Sequence, residues 1–98
     1  MKLNNCEIIV AAFEENVLDD ELIVFVKEKH KIIVLNQTAT TIFRYLMLCY
    51  ESDLDINTND IRMHLLTEYK DSVPNDEELT NDINETIQLF FESSLILV

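Results

Sequence analysis

The 98-residue chain contains no glycine. That absence rules out a phosphate-cradling glycine loop, a G-x-G-x-x-G dinucleotide turn and a G-x-S-x-G nucleophile elbow, because each needs glycine for left-handed backbone or close approach. Nucleotide chemistry is not expected. Long hydrophobic runs are also missing. None approaches the roughly 20 residues that span a bilayer, and the opening MKLNNCEIIVAAF has neither a basic start nor a small-residue cleavage site, so the reading is a cytoplasmic chain with no membrane partner. The two cysteines, Cys6 and Cys49, form no CxxC pair and are too few for a disulfide scaffold. They are expected to be reduced thiols.

Positive charge is scarce as well. Seven bases face nineteen acids, a formal net charge of -12, distributed along the chain rather than gathered in a tail. Such a field repels phosphate backbones, because nucleic-acid binding draws on Lys and Arg displacing condensed counterions. No nucleic-acid partner is expected, and a protein or a basic peptide fits better. The same acidity also serves plain solubility, and composition alone does not choose between the two.

Nearly half the chain is apolar, enough for one modest core in a single domain over 1-98. Lys31 to Tyr50 organises it. Ile32 to Leu35 is a β-branched apolar run that reads as a strand, and from Ala39 the apolar residues Ile42, Phe43, Leu46 and Met47 recur at helical spacing. Asn36 or Thr38 is available as the helix N-cap. Upstream, Ile8 to Ala12 within Glu7 to Phe13 reads as a first strand, Glu14 to Glu21 as an acidic connector and Leu22 to Val26 as a second strand. KEKHK separates that strand from the third. Without Asn-Gly or Asp-Gly the hairpin type and register stay open.

Downstream, Asn57 and Thr58 suit the start of a helix over Asn59 to Tyr69, with Ile61, Leu65, Leu66 and Tyr69 inward. Pro74 disfavours helix at Val73. Asn75 with Glu78 three residues on makes a capping-box pattern for a helix from Asp76 to Ser93, with Leu79, Ile83, Ile87 and Phe90 on one stripe and Thr86 and Phe91 flanking it. Leu95 to Val98 is an apolar tail that pairs with the sheet or covers the core. The fold class is therefore α+β, a three-stranded antiparallel sheet followed by three helices.

No catalytic constellation emerges. A zinc site from Cys6, His30, Cys49 and His64 would need four isolated ligands to converge, and adjacent acids such as Asp19/Asp20 and Glu77/Glu78 point apart; no metal, cofactor or enzyme activity is expected. The third strand offers something else: as the last of a meander it leaves backbone N–H and C=O groups unpaired along one edge, which an added peptide strand or the domain's own tail would cover, or which is simply tolerated.

From Val34 onward the chain resembles the PqqD-like family, also called the RiPP recognition element. The resemblance lies in VLNQTATTIFRYL, TNDIRMHLLTEY, VPNDEELTNDI and DINETIQLFFESSLI, in order and covering about two-thirds of the chain. The glycines usual after the first helix and before the final Leu-Ile are absent, with Ser94 in the second place. The resemblance implies a winged-helix-like, non-catalytic domain that binds the leader of a ribosomally synthesised precursor peptide. It implies a separate modifying or processing enzyme as partner, such as a radical-SAM enzyme, a cyclodehydratase or a leader peptidase. It also implies a site: the leader lies as an added strand beside Lys31, Ile32, Ile33, Val34 and Leu35, against a wall of Ile83, Thr86, Ile87 and Phe90. Two other classes compete. One is an acidic interaction or regulatory module with a different protein partner. The other is a winged-helix DNA regulator, which the single Arg62 and Lys70 between Asn59 and Ser93 disfavour.

Overall fold

The computed structural model describes residues 1–69 and 75–98. The expected break at Val73 and Pro74 lies outside the described residues. The elements run β1 (Lys2–Leu3), β2 (Cys6–Glu7), β3 (Ile9–Val10), β4 (Phe13–Leu18), β5 (Glu21–Val26), β6 (Lys31–Leu35), α1 (Gln37–Glu51), α2 (Thr58–Tyr69), α3 (Asp76–Glu92) and β7 (Ile96–Leu97). The architecture is α+β, and its largest sheet, ordered β4-β5-β6 and wholly antiparallel, precedes three helices.

One strand is not where the apolar runs put it. The first strand of the sheet is Phe13–Leu18, the stretch expected to be a connector, and the run Ile8 to Ala12 is not part of that sheet. Ile8 enters the core, Ile9 and Val10 pair antiparallel with Leu97 and Ile96, and Ala11 donates to the Leu95 carbonyl at 2.8 Å. The physical reason is that β4 lies at the sheet edge. Five of its six residues are exposed, so beyond Phe13 it is held by ladder bonds to β5 more than by buried side chains, and its sequence carries little apolar signature.

The glycine-free turns follow a common device. Asn4 and Asn5 join β1 to β2, and Asp19 and Asp20 join β4 to β5, all four with positive φ. Positive φ at both central residues of a two-residue loop is the type I′ turn, and Asn and Asp are the residues that best replace glycine there. The same holds at helix ends. Asp53 (φ 53°) follows the α1 cap Ser52, and Ser94 (φ 63°) follows the α3 cap Ser93. The two places where the resemblance expects glycine thus keep their left-handed turn with a side chain in it.

Caps set the helices. The Asn36 side chain accepts from the Ala39 N–H at 2.8 Å, and that of Asn75 accepts from Glu78 N–H at 2.9 Å. Asn57 and Asp60 exchange bonds, each side chain accepting from the other's N–H, a reciprocal cap that starts α2. Inside, Phe43 is fully buried with Phe13 edge-on at 5.3 Å and Phe90 at 6.0 Å, so one ring of α1 joins the sheet side to α3. Leu79, Ile83, Ile87 and Phe90 form the buried stripe of α3. Leu95 and Ile96 of the tail are fully buried.

Candidate functional site

β6 is an edge of the sheet, with β5 on one side and, among the described residues, no strand on the other. Its ladder polarity follows from one bond. Lys27 N–H donates to the Ala12 carbonyl at 3.1 Å, which makes Lys27 and Ala12 a hydrogen-bonded pair and, by alternation along β5, directs the backbone groups of Leu22, Val24 and Val26 at β6. Those residues face Leu35, Ile33 and Lys31. The outward N–H and C=O groups of β6 therefore belong to Ile32 and Val34. An added strand has these two residues to bond, while Ile33 and Leu35 point their side chains into the core.

The strand is held firmly at both ends. Leu35 runs straight into the Asn36 cap, and the Thr40 hydroxyl donates to the Leu35 carbonyl at 3.3 Å. At the other end the Lys31 ammonium donates to the Glu92 carbonyl at 3.2 Å. α3 has no basic residue in its last turn, so Lys31 supplies from the sheet the cation that a helix C-terminus favours. This contact brings the start of β6 to the end of α3.

The residues expected to form the opposite wall divide into two groups. Ile83 and Phe90 have no exposed surface and Ile87 very little, so they support a wall from behind. Thr86 is half-exposed, and its hydroxyl donates to the Asp82 carbonyl at 2.8 Å. Of the nine residues named from the sequence, Lys31, Ile32, Val34 and Thr86 reach solvent with more than a trace of surface.

A concavity that the sequence reading missed lies at the opposite edge of the sheet. A cavity of about 420 Å³ opens between Val10, Ala11, Ala12, Phe13 and Glu15 on one side and Phe43, Arg44, Met47, Tyr50 and Glu51 of α1 on the other. Arg44 spans it to Glu15 with two bonds of 2.8 and 2.6 Å. Misplacing the first strand at Ile8 to Ala12 hid it, because the cavity needs β4 to start at Phe13.

Titratable groups elsewhere have structural settings. Burial pushes the Cys49 thiol up, with the Tyr45 hydroxyl working the other way and the Asp60 carboxylate adding to the rise. Tyr45 stacks on His64 with ring centroids 4.2 Å apart and is itself pushed up, first by burial. Cys6 is exposed in β2 and His30 in the β5–β6 turn. Among the described residues no three His, Cys, Asp or Glu side chains gather at metal-ligand spacing, and no helix is long and apolar enough to cross a membrane.

Comparison with protein-family models, with curated proteins and with solved structures found no match.

Proposed function

We propose that the protein is a non-catalytic, winged-helix-like module that binds the leader segment of a ribosomally synthesised precursor peptide and delivers it to a separate modifying or processing enzyme. The observation that carries the reading is the edge of β6, where Ile32 and Val34 offer outward backbone donors and acceptors on a strand fixed at both ends. Strand addition draws affinity from such main-chain groups, and pockets for alternate side chains add selectivity. The four segments that resemble PqqD-like domains, in order, lend the leader and the enzyme to this reading. A rigid edge also loses little order when the peptide docks.

The experiment is a titration of the isotope-labelled protein with a synthetic leader, taken from a short precursor gene found beside this one. Amide shifts at Ile32, Val34 and along α3 near Thr86 are the expected result. Shifts confined to Phe13, Glu15 and Met47 would move the peptide to the β4 side, and absence of any binding together with absence of a precursor gene nearby would favour the acidic interaction module.

A further inference from the structure

The core-facing side of β4 is left bare. Directly opposite residues of a sheet point the same way, so Phe13, Glu15 and Val17 share that side with Val26, Val24 and Leu22 of β5. The three β5 residues are buried, yet Glu15 is exposed and Val17 is 64% exposed. Between this side of the strand and the flank of α1 lies the cavity of about 420 Å³. Val10, Phe13, Met47 and Tyr50 give it half-buried apolar surface that water covers at a cost.

The backbone is open at the same place. Because Lys27 and Ala12 form a bonded pair, so do Phe25 with Glu14 and Ile23 with Asn16, and the β4 groups that face away from β5 belong to Phe13, Glu15 and Val17. Among the described residues no strand pairs with β4 on that side. The Val17 N–H is already served, since it donates to the Asn16 side chain at 3.0 Å. The donors left for another chain are those of Phe13 and Glu15, the two β4 residues that line the cavity.

The charges at the cavity are one base and two acids. Arg44 is neutralised where it stands by Glu15, with bonds of 2.8 and 2.6 Å. Glu51 makes no ion pair among the described residues, and it ends α1, whose last turn has no basic residue. A helix C-terminus favours a cation, and so does an unpaired carboxylate. We propose that the cavity and the open backbone of Phe13 and Glu15 form a binding site for an extended, basic segment of another protein. The segment adds as a strand beside β4, with an apolar side chain in the cavity and a Lys or Arg at Glu51.

An extended chain suits this site because side chains two residues apart fall on one side of a strand, so one can fill the cavity while the other reaches the carboxylate. The net charge of -12 draws a basic segment from a distance as well. The site occupies the edge of the sheet opposite β6, so it does not rest on the leader-binding reading.

The test titrates the blocked peptide acetyl-Thr-Lys-Thr-Leu-Thr-Val-Thr-amide, whose Lys, Leu and Val share one side of a strand, into the isotope-labelled full chain up to millimolar concentration. Saturable amide shifts at Phe13, Glu15, Met47 and Glu51 are expected. The same peptide with Glu in place of Lys binds at least about tenfold more weakly. In Glu51→Lys, at an exposed side chain and with unchanged far-ultraviolet circular dichroism, that preference reverses. Methylating the peptide's Leu nitrogen removes a pairing donor and costs at least about tenfold too. Absence of saturable shifts at these amides overturns the proposal, as does equal binding of the Lys and Glu peptides. An N-methylated peptide that binds as well as the parent overturns strand addition and leaves the cavity to a small amphiphilic cation. Shifts at Ile32 and Val34 in place of Phe13 and Glu15 overturn it as well. Leader binding at β6 is read with a different peptide at the other edge, so either reading can fail without the other.

Discussion

Lys31 donates from its ammonium to the backbone carbonyl of Glu92 at 3.2 Å, joining the first residue of β6 to the last of α3 across most of the sequence. Both residues are exposed, so the bond adds little to stability, about 1 kcal/mol or less. Its importance is positional, since it fixes where the strand edge begins relative to the helix that would face a bound peptide.

Substitution by proline separates the two sides of the strand. Val34→Pro removes an outward N–H that makes no ladder bond, a position where edge strands tolerate proline. The fold should persist while leader affinity drops at least about tenfold, or about 1.4 kcal/mol, as read by calorimetric titration. Ile33→Pro instead removes a bond to Val24 inside the sheet and should lower the thermal midpoint; if the two variants behave alike, the ladder polarity argued above is wrong.

Thr86→Glu places a charge on the half-exposed margin of α3 without touching the buried stripe. Thermal stability should change by less than about 1 kcal/mol, while leader binding weakens as the carboxylate is crowded and desolvated. The acids of α3 further predict that a leader bearing Lys or Arg binds more tightly at low than at high salt. Affinity that is insensitive to ionic strength would remove charge steering from recognition.

Ser94 adopts φ 63° with no side-chain hydrogen bond among those of the described residues. A left-handed L-residue costs roughly 1–2 kcal/mol that glycine does not pay, so Ser94→Gly should raise stability by about 1 kcal/mol in denaturant unfolding. Asp53→Gly is a poorer test, because Asp53 also holds the Met1 ammonium at 3.0 Å.

Hydrogen bonds that the Met1 ammonium donates to the carboxylates of Glu7 and then Asp53 push it up from 8.0 to about 10. A raised folded-state value means that the charged form is favoured by folding. Its contribution is complete below about pH 8 and disappears as pH rises through about 10. The thermal midpoint should therefore fall over that window, and the fall should be shallower in Asp53→Asn. An equal slope in both chains would show that these pairs do not act.

The thiols should differ in reach and reactivity. Cys6 is exposed, whereas Cys49 is buried and its thiol is pushed up. Iodoacetamide at neutral pH should modify Cys6 first, with Cys49 reacting only on unfolding. Mass spectrometry after partial alkylation reads this directly.

The three helices are legible because each opens on a capping residue, and β6 because it is a β-branched apolar run. The run Ile32 to Leu35 falls one residue short of the observed strand, which begins at Lys31, Asn36 and Asn75 cap as their positions imply, and the stripe Leu79, Ile83, Ile87, Phe90 is buried throughout. β4 was not legible, because FEENVL gains its place from β5 and not from burial. The hairpin register was hidden for a related reason: Asn4-Asn5 and Asp19-Asp20 make type I′ turns without the glycine that usually marks them. The residues that the resemblance names for the site lie on β6 and α3. The sequence did not separate Ile32 and Val34, whose backbone groups face the open edge, from Ile83 and Phe90, which lie beneath the surface, since that division depends on ladder polarity and packing.

The pairing of Ile9 and Val10 with Leu97 and Ile96 has a kinetic consequence. It closes a loop containing nearly the whole molecule, and the entropy of that closure must be met before the short ladder repays any of it. Helices and the local hairpins can form first; the strap between the early and late residues forms after α3 has carried Leu95 into the core. Its amides, Ala11 among them, should accordingly exchange with solvent sooner than those of β5, and the two short strands should act as the last segment to close and the first to open.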